Sequence, residues 1–235
     1  SYRFRRLLNE KALAAGNPAE LRSALERVRG LGPVLIQERI PGGDDQIHQV
    51  GFVRSVDGRL LARFAGRNLL QYPPHFGSGA LVVAEVAPDA VDLATHIVET
   101  LDLVGIANVE LKRDARDGRL KLMEVDPRLW LWHDLGRVAG VDLAWTYYQL
   151  LAGMDPAPQL QQRQGVKWVH EIRAPAAAWA AARAGERGWV RLLADFREIH
   201  CRALWAWDDP MPLWRFARSE CRRGRRAVPR EPAGG

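Results

Sequence analysis

Residues 105–126 read GIANVELKRDARDGRLKLMEVD, and the alternation within this stretch decides the fold. Gly105 to Arg113 and Arg119 to Asp126 are β-rich runs flanking Arg116-Asp117-Gly118, whose glycine stands where a three-residue hairpin loop requires a left-handed residue. That loop sets Glu110 directly across from Glu124 and Asn108 across from Asp126, all on one face. The other face carries Val109, Leu111, Met123 and Val125, an apolar set for a neighbouring layer to bury. Carboxylates gathered on one sheet face repel one another unless a cation, protons or arginines compensate them. Their hard oxygens suit Mg²⁺ or Mn²⁺, and a Mg²⁺ held by protein carboxylates usually completes its octahedron with water and substrate phosphates. Arg128, two residues past Asp126, adds positive charge for the same phosphates. A plainer alternative stays open on this pattern, with Glu110 and Glu124 facing solvent and paired to Lys112 and nearby arginines.

Upstream, Asn17-Pro18-Ala19-Glu20 has the cap, proline and glutamate of a helix start, and Leu21, Ala24, Leu25 and Val28 recur at helical spacing as far as Gly30. Val34 to Arg39 is a short β-rich run that ends in the turn Gly42-Gly43-Asp44-Asp45. Gln46 to Arg54 and Arg59 to Gly66 flank Asp57-Gly58 as a hairpin, and Tyr72 to Gly79, rich in proline and glycine, is an exposed loop. Pro88 opens a helix with Val91, Ala94, Ile97, Val98 and Leu101 as its buried stripe, and a further helix runs from about Asp142 to Leu151. Hairpins and helices segregate along the chain, which is the pattern of an α+β fold.

The 235 residues are 47% hydrophobic and 26% charged, which excludes a disordered, collagen-like or low-complexity chain. No apolar run reaches the ~20 residues of a membrane span, and no secretory h-region follows Ser1. With only Cys201 and Cys221 as thiols, both expected to be free, the composition suits the cytoplasm. The net charge of +6 raises nucleic acid as a partner, but the basic clusters sit at the ends, at Arg3, Arg5, Arg6 and Arg222, Arg223, Arg225, Arg226, and form no recognition motif. All nine tryptophans lie at or after Trp130. Residues 154–223 read as an all-helical extension with tryptophan anchors, residues 224–235 as a disordered tail, and residues 1–153 as the main domain. His75 and His133 read as structural, and no Ser/His/Asp or Cys/His set suggests covalent catalysis.

Four segments in order, VLIQERIPGGD (34–44), GRNLLQYPPHFGSG (66–79), GIANVELKRD (105–114) and LMEVDPRLWLWHDLGRVAGVDL (122–143), resemble the ATP-grasp superfamily of carboxylate ligases. The likeness runs from Tyr2 to about Gly153, and GVKWVHEIR (165–173) and WDDPMP (207–212) are similar to a variable C-terminal extension of bacterial ATP-grasp proteins. The resemblance implies an ATP-grasp fold and a reaction in which ATP with Mg²⁺ phosphorylates a small-molecule carboxylate, and an amine then attacks the acylphosphate. It makes Glu110, Glu124 and Asp126 the metal ligands, with Asp126 where the family usually has Asn. It gives the adenine amino group to Gln37, the ring edge to the Glu38 to Ile40 backbone, and the ribose hydroxyls to Asp44. Lys11 becomes a phosphate contact, Arg67 and Arg128 catalytic cations, and Asn68 stands where lysine is commoner. The family would also supply a preceding domain with a further lysine, so an N-terminally truncated domain is expected. With Asn68 and Asp126, that leaves a diverged, non-catalytic nucleotide-binding module as the rival reading and a basic nucleic-acid-binding protein as a third.

Overall fold

The computed structural model describes residues 12–226. Its sheet holds β1 (Ile47–Arg54), β2 (Leu60–Tyr72), β3 (Ser78–Ala84), β4 (Gly105–Arg113), β5 (Leu120–Asp126), β6 (Lys167–Val169) and β7 (Cys201–Arg202). The order is β5-β4-β1-β2-β3-β6-β7, antiparallel throughout except for β6 beside β7. The helices are α1 (Pro18–Arg27), α2 (Pro88–Thr100), α3 (Asp134–Ala139), α4 (Leu143–Leu151), α5 (Arg173–Arg183), α6 (Trp189–Asp195) and α7 (Met211–Arg226). The class is α+β, as the hairpin pattern requires.

Alternation along the strands divides the core between the two faces. On one, α2 packs on Val50, Phe52, Ala65, Val109 and Leu111, while α5 and Leu192 of α6 pack on Leu81 and Val83. On the other, Val53, Phe64 and Val82 meet Trp130, Trp132, Leu135 and Leu143. Rings of this size remove ~150–250 Å² each from water, or about 4–6 kcal/mol apiece before entropy is counted. Gly51 exists to admit one of them: a Cβ there would fall 2.1 Å from Trp130 Cη2, a distance no side chain tolerates.

The β4–β5 hairpin pairs Glu110 with Glu124 and Asn108 with Asp126, as the alternation predicts, but by a different route. The turn is wider by one residue, closed by the Asp114 amide donating to Arg119 O at 2.8 Å, so that Lys112 faces Lys121 and Leu111 faces Leu122. A bulge at Met123 then restores the expected pairing toward the open end of the hairpin. Two one-residue departures cancel at the carboxylates.

Three other expectations change. Residues 33–41 form no strand, and Val34, Leu35 and Ile36 are exposed, because no strand among the described residues lies beside the run to pair with it. The last third is not all helical: β6 extends the sheet from β3 and β7 follows it, strands too short to be read from periodicity. Helix α7 continues through Arg226, past the point where the tail was expected to begin.

Candidate functional site

The carboxylate-bearing end of the β4–β5 hairpin forms the first part of the site. Glu110 is flanked by Glu124 on β5 and Gln49 on β1, and Asn108 by Asp126 and Gly51. Asn108 is buried, and its Nδ2 donates to Gln49 Oε1 at 3.1 Å. Its Oδ1 is sealed from solvent with no hydrogen-bond partner. Asp126 accepts from Arg128 Nη2 at 2.7 Å, which draws its carboxylate toward its own strand end. Among the described residues no three His, Cys, Asp or Glu side chains are gathered closely enough to hold a metal ion. The donor set nevertheless suits a hard divalent cation, since it offers carboxylate oxygens and one orphaned amide oxygen on the same sheet face.

Next to it, Gln37, Glu38 and Ile40 face Lys121, Leu122 and Met123 across a cavity of about 210 Å³. The bulge that corrects the pairing therefore also brings Met123 to this wall. The segment is tied down by Glu38 Oε1 to Arg116 Nη1 at 2.6 Å, by the Ala115 amide donating to Pro41 O at 3.2 Å, and by Arg39 over the Phe76 ring at 5.9 Å.

Asp44 opens a single 3₁₀ turn, Asp44–Gln46. Its Oδ2 accepts from the Gln71 amide at 3.3 Å and its Oδ1 from the His75 amide at 3.2 Å, with His75 Nδ1 at 3.7 Å. An ionised carboxylate offers about four lone-pair positions, so two remain for other donors. Burial pushes Asp44 above the ordinary carboxylate range, against the pull of the His75 ring and the two amides.

Lys112 is the residue that sequence reasoning undervalued. It shares the face of Glu110 and Asn108, is 8% exposed, and has no ion-pair partner within 4.0 Å among the described residues. Burial lowers its pKa, and Asp44, foremost of the charges around it, opposes that shift, as Glu110 does more weakly. Counting two residues on from Glu110 places it there, although the sequence pattern by itself names it only as a counter-charge.

Arg67 is not brought to the carboxylates. It stands opposite His48, which in turn stands opposite Leu111, so it lies on the α2 face and holds Glu85 with both ends of its fork at 2.7 and 2.8 Å. Strand alternation, invisible when Arg67 is read as part of a loop, is the reason. Asn68 turns to the tryptophan face, and neither end of its buried amide has a partner. Arg128 is exposed beside Asp126. Lys11 lies outside the described residues. A larger hollow of about 420 Å³ between α3 and α4, beside His133, Asp142 and Trp145, touches none of these residues. His133 Nδ1 is hydrogen-bonded to Trp130 O at 2.7 Å, a structural contact.

No known sequence family and no curated protein matches the chain. Among solved structures, N5-carboxyaminoimidazole synthetase from Staphylococcus aureus in complex with ADP aligns with a TM-score of 0.50 at 12% identity, covering 66% of this chain and 42% of that one. A second crystal structure under that name and source gives the same score and identity, covering 66% and 41%. The chain spans about two fifths of the length of these two structures. At such identities the likeness speaks for the fold, which is the ATP-grasp fold. No helix among the described residues is long and apolar enough to cross a membrane.

Proposed function

We propose that this chain binds ATP with Mg²⁺ as part of a ligase that activates a small-molecule carboxylate as an acylphosphate and passes the acyl group to an amine. The observation that carries the reading is the pairing of Glu110 with Glu124 and Asn108 with Asp126, next to the hollow walled by Gln37, Glu38 and Ile40. Glu110, Glu124 and Asp126 hold the metal, which when bound neutralises phosphate charge. Gln37 and the Glu38 to Ile40 backbone take the adenine, and the two lone-pair positions left on Asp44 take the ribose hydroxyls. Lys112, on the same sheet face as Glu110 and Asn108, supplies the positive charge that Arg67 does not, and Arg128 adds to it on leaving Asp126. The protein's part is positioning and charge neutralisation, with no side-chain nucleophile. A soluble, cytoplasmic setting fits this reading.

The test is calorimetric titration with Mg·ATP. Glu124→Ala is expected to lose at least about tenfold in affinity, or 1.4 kcal/mol. Unchanged affinity in a variant with intact circular dichroism would refute the assignment. The ion pair between Asp126 and Arg128 and the amide at Asn68 favour a second reading, a nucleotide-binding module without turnover. Phosphate release with a pool of amino and hydroxy acids as acceptors separates the two.

A further inference from the structure

The last third of the chain reaches the nucleoside end of the site through three charged side chains. Arg187, with its side chain 7% exposed, donates to Leu69 O at 2.6 Å and to Asp45 Oδ2 at 3.0 Å, and pairs with Asp195 Oδ2 at 3.0 Å. Arg191 Nη2 reaches the same Asp45 oxygen at 3.2 Å. Glu186 Oε1 lies 3.1 Å from His75 Nε2, on the far side of the ring from Asp44. His75 itself holds a left-handed backbone, φ 68°, and donates its amide to Asp44. Thus Asp45, the neighbour of Asp44 in the chain, and His75, its neighbour in space, are each gripped by residues 186–191. Burying a guanidinium forfeits its hydration, and such pairs return little net stability. What this one secures is a place for the turn at Asp44–Gln46, more than a hundred residues away in sequence.

We propose that Glu186, Arg187 and Arg191 are positioning residues for nucleoside recognition, holding the turn and the His75 loop so that Asp44 keeps its remaining lone pairs for the ribose hydroxyls. The inference rests on the reading of Asp44 given above. It assigns a task to the tryptophan-rich extension: it braces the nucleotide site rather than standing apart from it. By linkage, a brace that favours the bound nucleoside is itself tightened by the nucleoside to the same degree.

The experiment compares Mg·ATP with Mg·tripolyphosphate, which lacks the nucleoside, in calorimetric titrations of the wild type, Arg187→Met and Arg191→Ala. Arg187→Met is expected to lose at least about tenfold in affinity for Mg·ATP and to keep its affinity for Mg·tripolyphosphate. Arg191→Ala, exposed, should lose about two- to threefold in the same sense. Equal losses for both ligands, the mark of a general structural defect, would overturn the proposal, as would undiminished Mg·ATP binding. If Arg187→Met does not fold, hydrogen exchange of the wild type decides: Mg·ADP should slow residues 186–192 together with 43–46, and Mg·tripolyphosphate should slow neither. Protection by Mg·ADP at 43–46 alone overturns it. Absence of any Mg·ATP binding by the wild type fells the nucleotide reading, and this inference with it.

Discussion

Asp126 on the edge strand meets Arg128 at 2.7 Å with the arginine side chain 64% exposed, whereas Asp45 in the turn meets Arg187 at 3.0 Å with that arginine 7% exposed. The two pairs have similar lengths and belong to opposite margins of the candidate site. Toward the edge strand and the 33–41 segment, charges meet in solvent, where an ion pair is worth about 0–1 kcal/mol. Toward the turn they meet in shelter, where removing one partner costs about 3–5 kcal/mol. The contrast assigns the margins different tasks: the outer one can rearrange around metal and adenine at little expense, and the inner one is preorganised. That Asp126 is drawn to Arg128 in this structure is consistent with such a rearrangement on loading.

The largest effect is expected in the tryptophan layer, which packs on the sheet face that also carries Glu110 and Asn108, opposite α5 and α6. Trp132→Ala removes a ring that is 2% exposed and packs over Gly66, and should cost about 3–5 kcal/mol in denaturant unfolding. A loss below 1 kcal/mol would mean that the layer behind the carboxylate face is no firmer than the exposed edge strand. On the edge strand, Asp126→Asn should change stability by less than about 1 kcal/mol and leave Mg·ATP affinity within about tenfold, since it restores the amide of the family resemblance. A larger loss would show that the third carboxylate is required.

A smaller effect belongs to the hairpin tip, where hydrogen bonds from Arg116 hold the Asp114 carboxyl down to about 2, from an ordinary 3.8. A depressed acid stabilises the fold fully above its unfolded pKa and loses that contribution as pH falls through the folded one. The advantage of the wild type over Asp114→Asn should therefore be constant above about pH 4 and fade toward pH 2. A gap that persists unchanged through that window would sever it from the carboxylate. The least effect is expected in the 33–41 segment, where Leu35→Ser, at an 86% exposed position, should stay within about 0.5 kcal/mol. A clear destabilisation there would mean that the outer margin is packed after all.

Much of the scaffold was legible because its signals are local. The Asp57-Gly58 hairpin, the helix opening at Pro88 and the helix capped by Asp142 were all read from turn residues, caps and periodicity, and α2 buries Val91, Ala94 and Val98 of the expected stripe. The opposition of Glu110 to Glu124 was also legible, although the loop assumed in deriving it was one residue too short. A bulge stored in β5 made good the difference, and no turn propensity announces a bulge at Met123.

What the sequence by itself determined was which residues share a strand face and which segments turn, because both follow from alternation and backbone preference over a few neighbouring residues. Only the tertiary structure decided that Arg67 faces away, that Val34 to Arg39 finds no partner strand, that Lys112 is buried, and that Arg187 closes on Asp45. Each of these depends on what lies beside a residue after elements distant in sequence have packed. Burial and ion pairing are set by that environment, and no window of local sequence contains it.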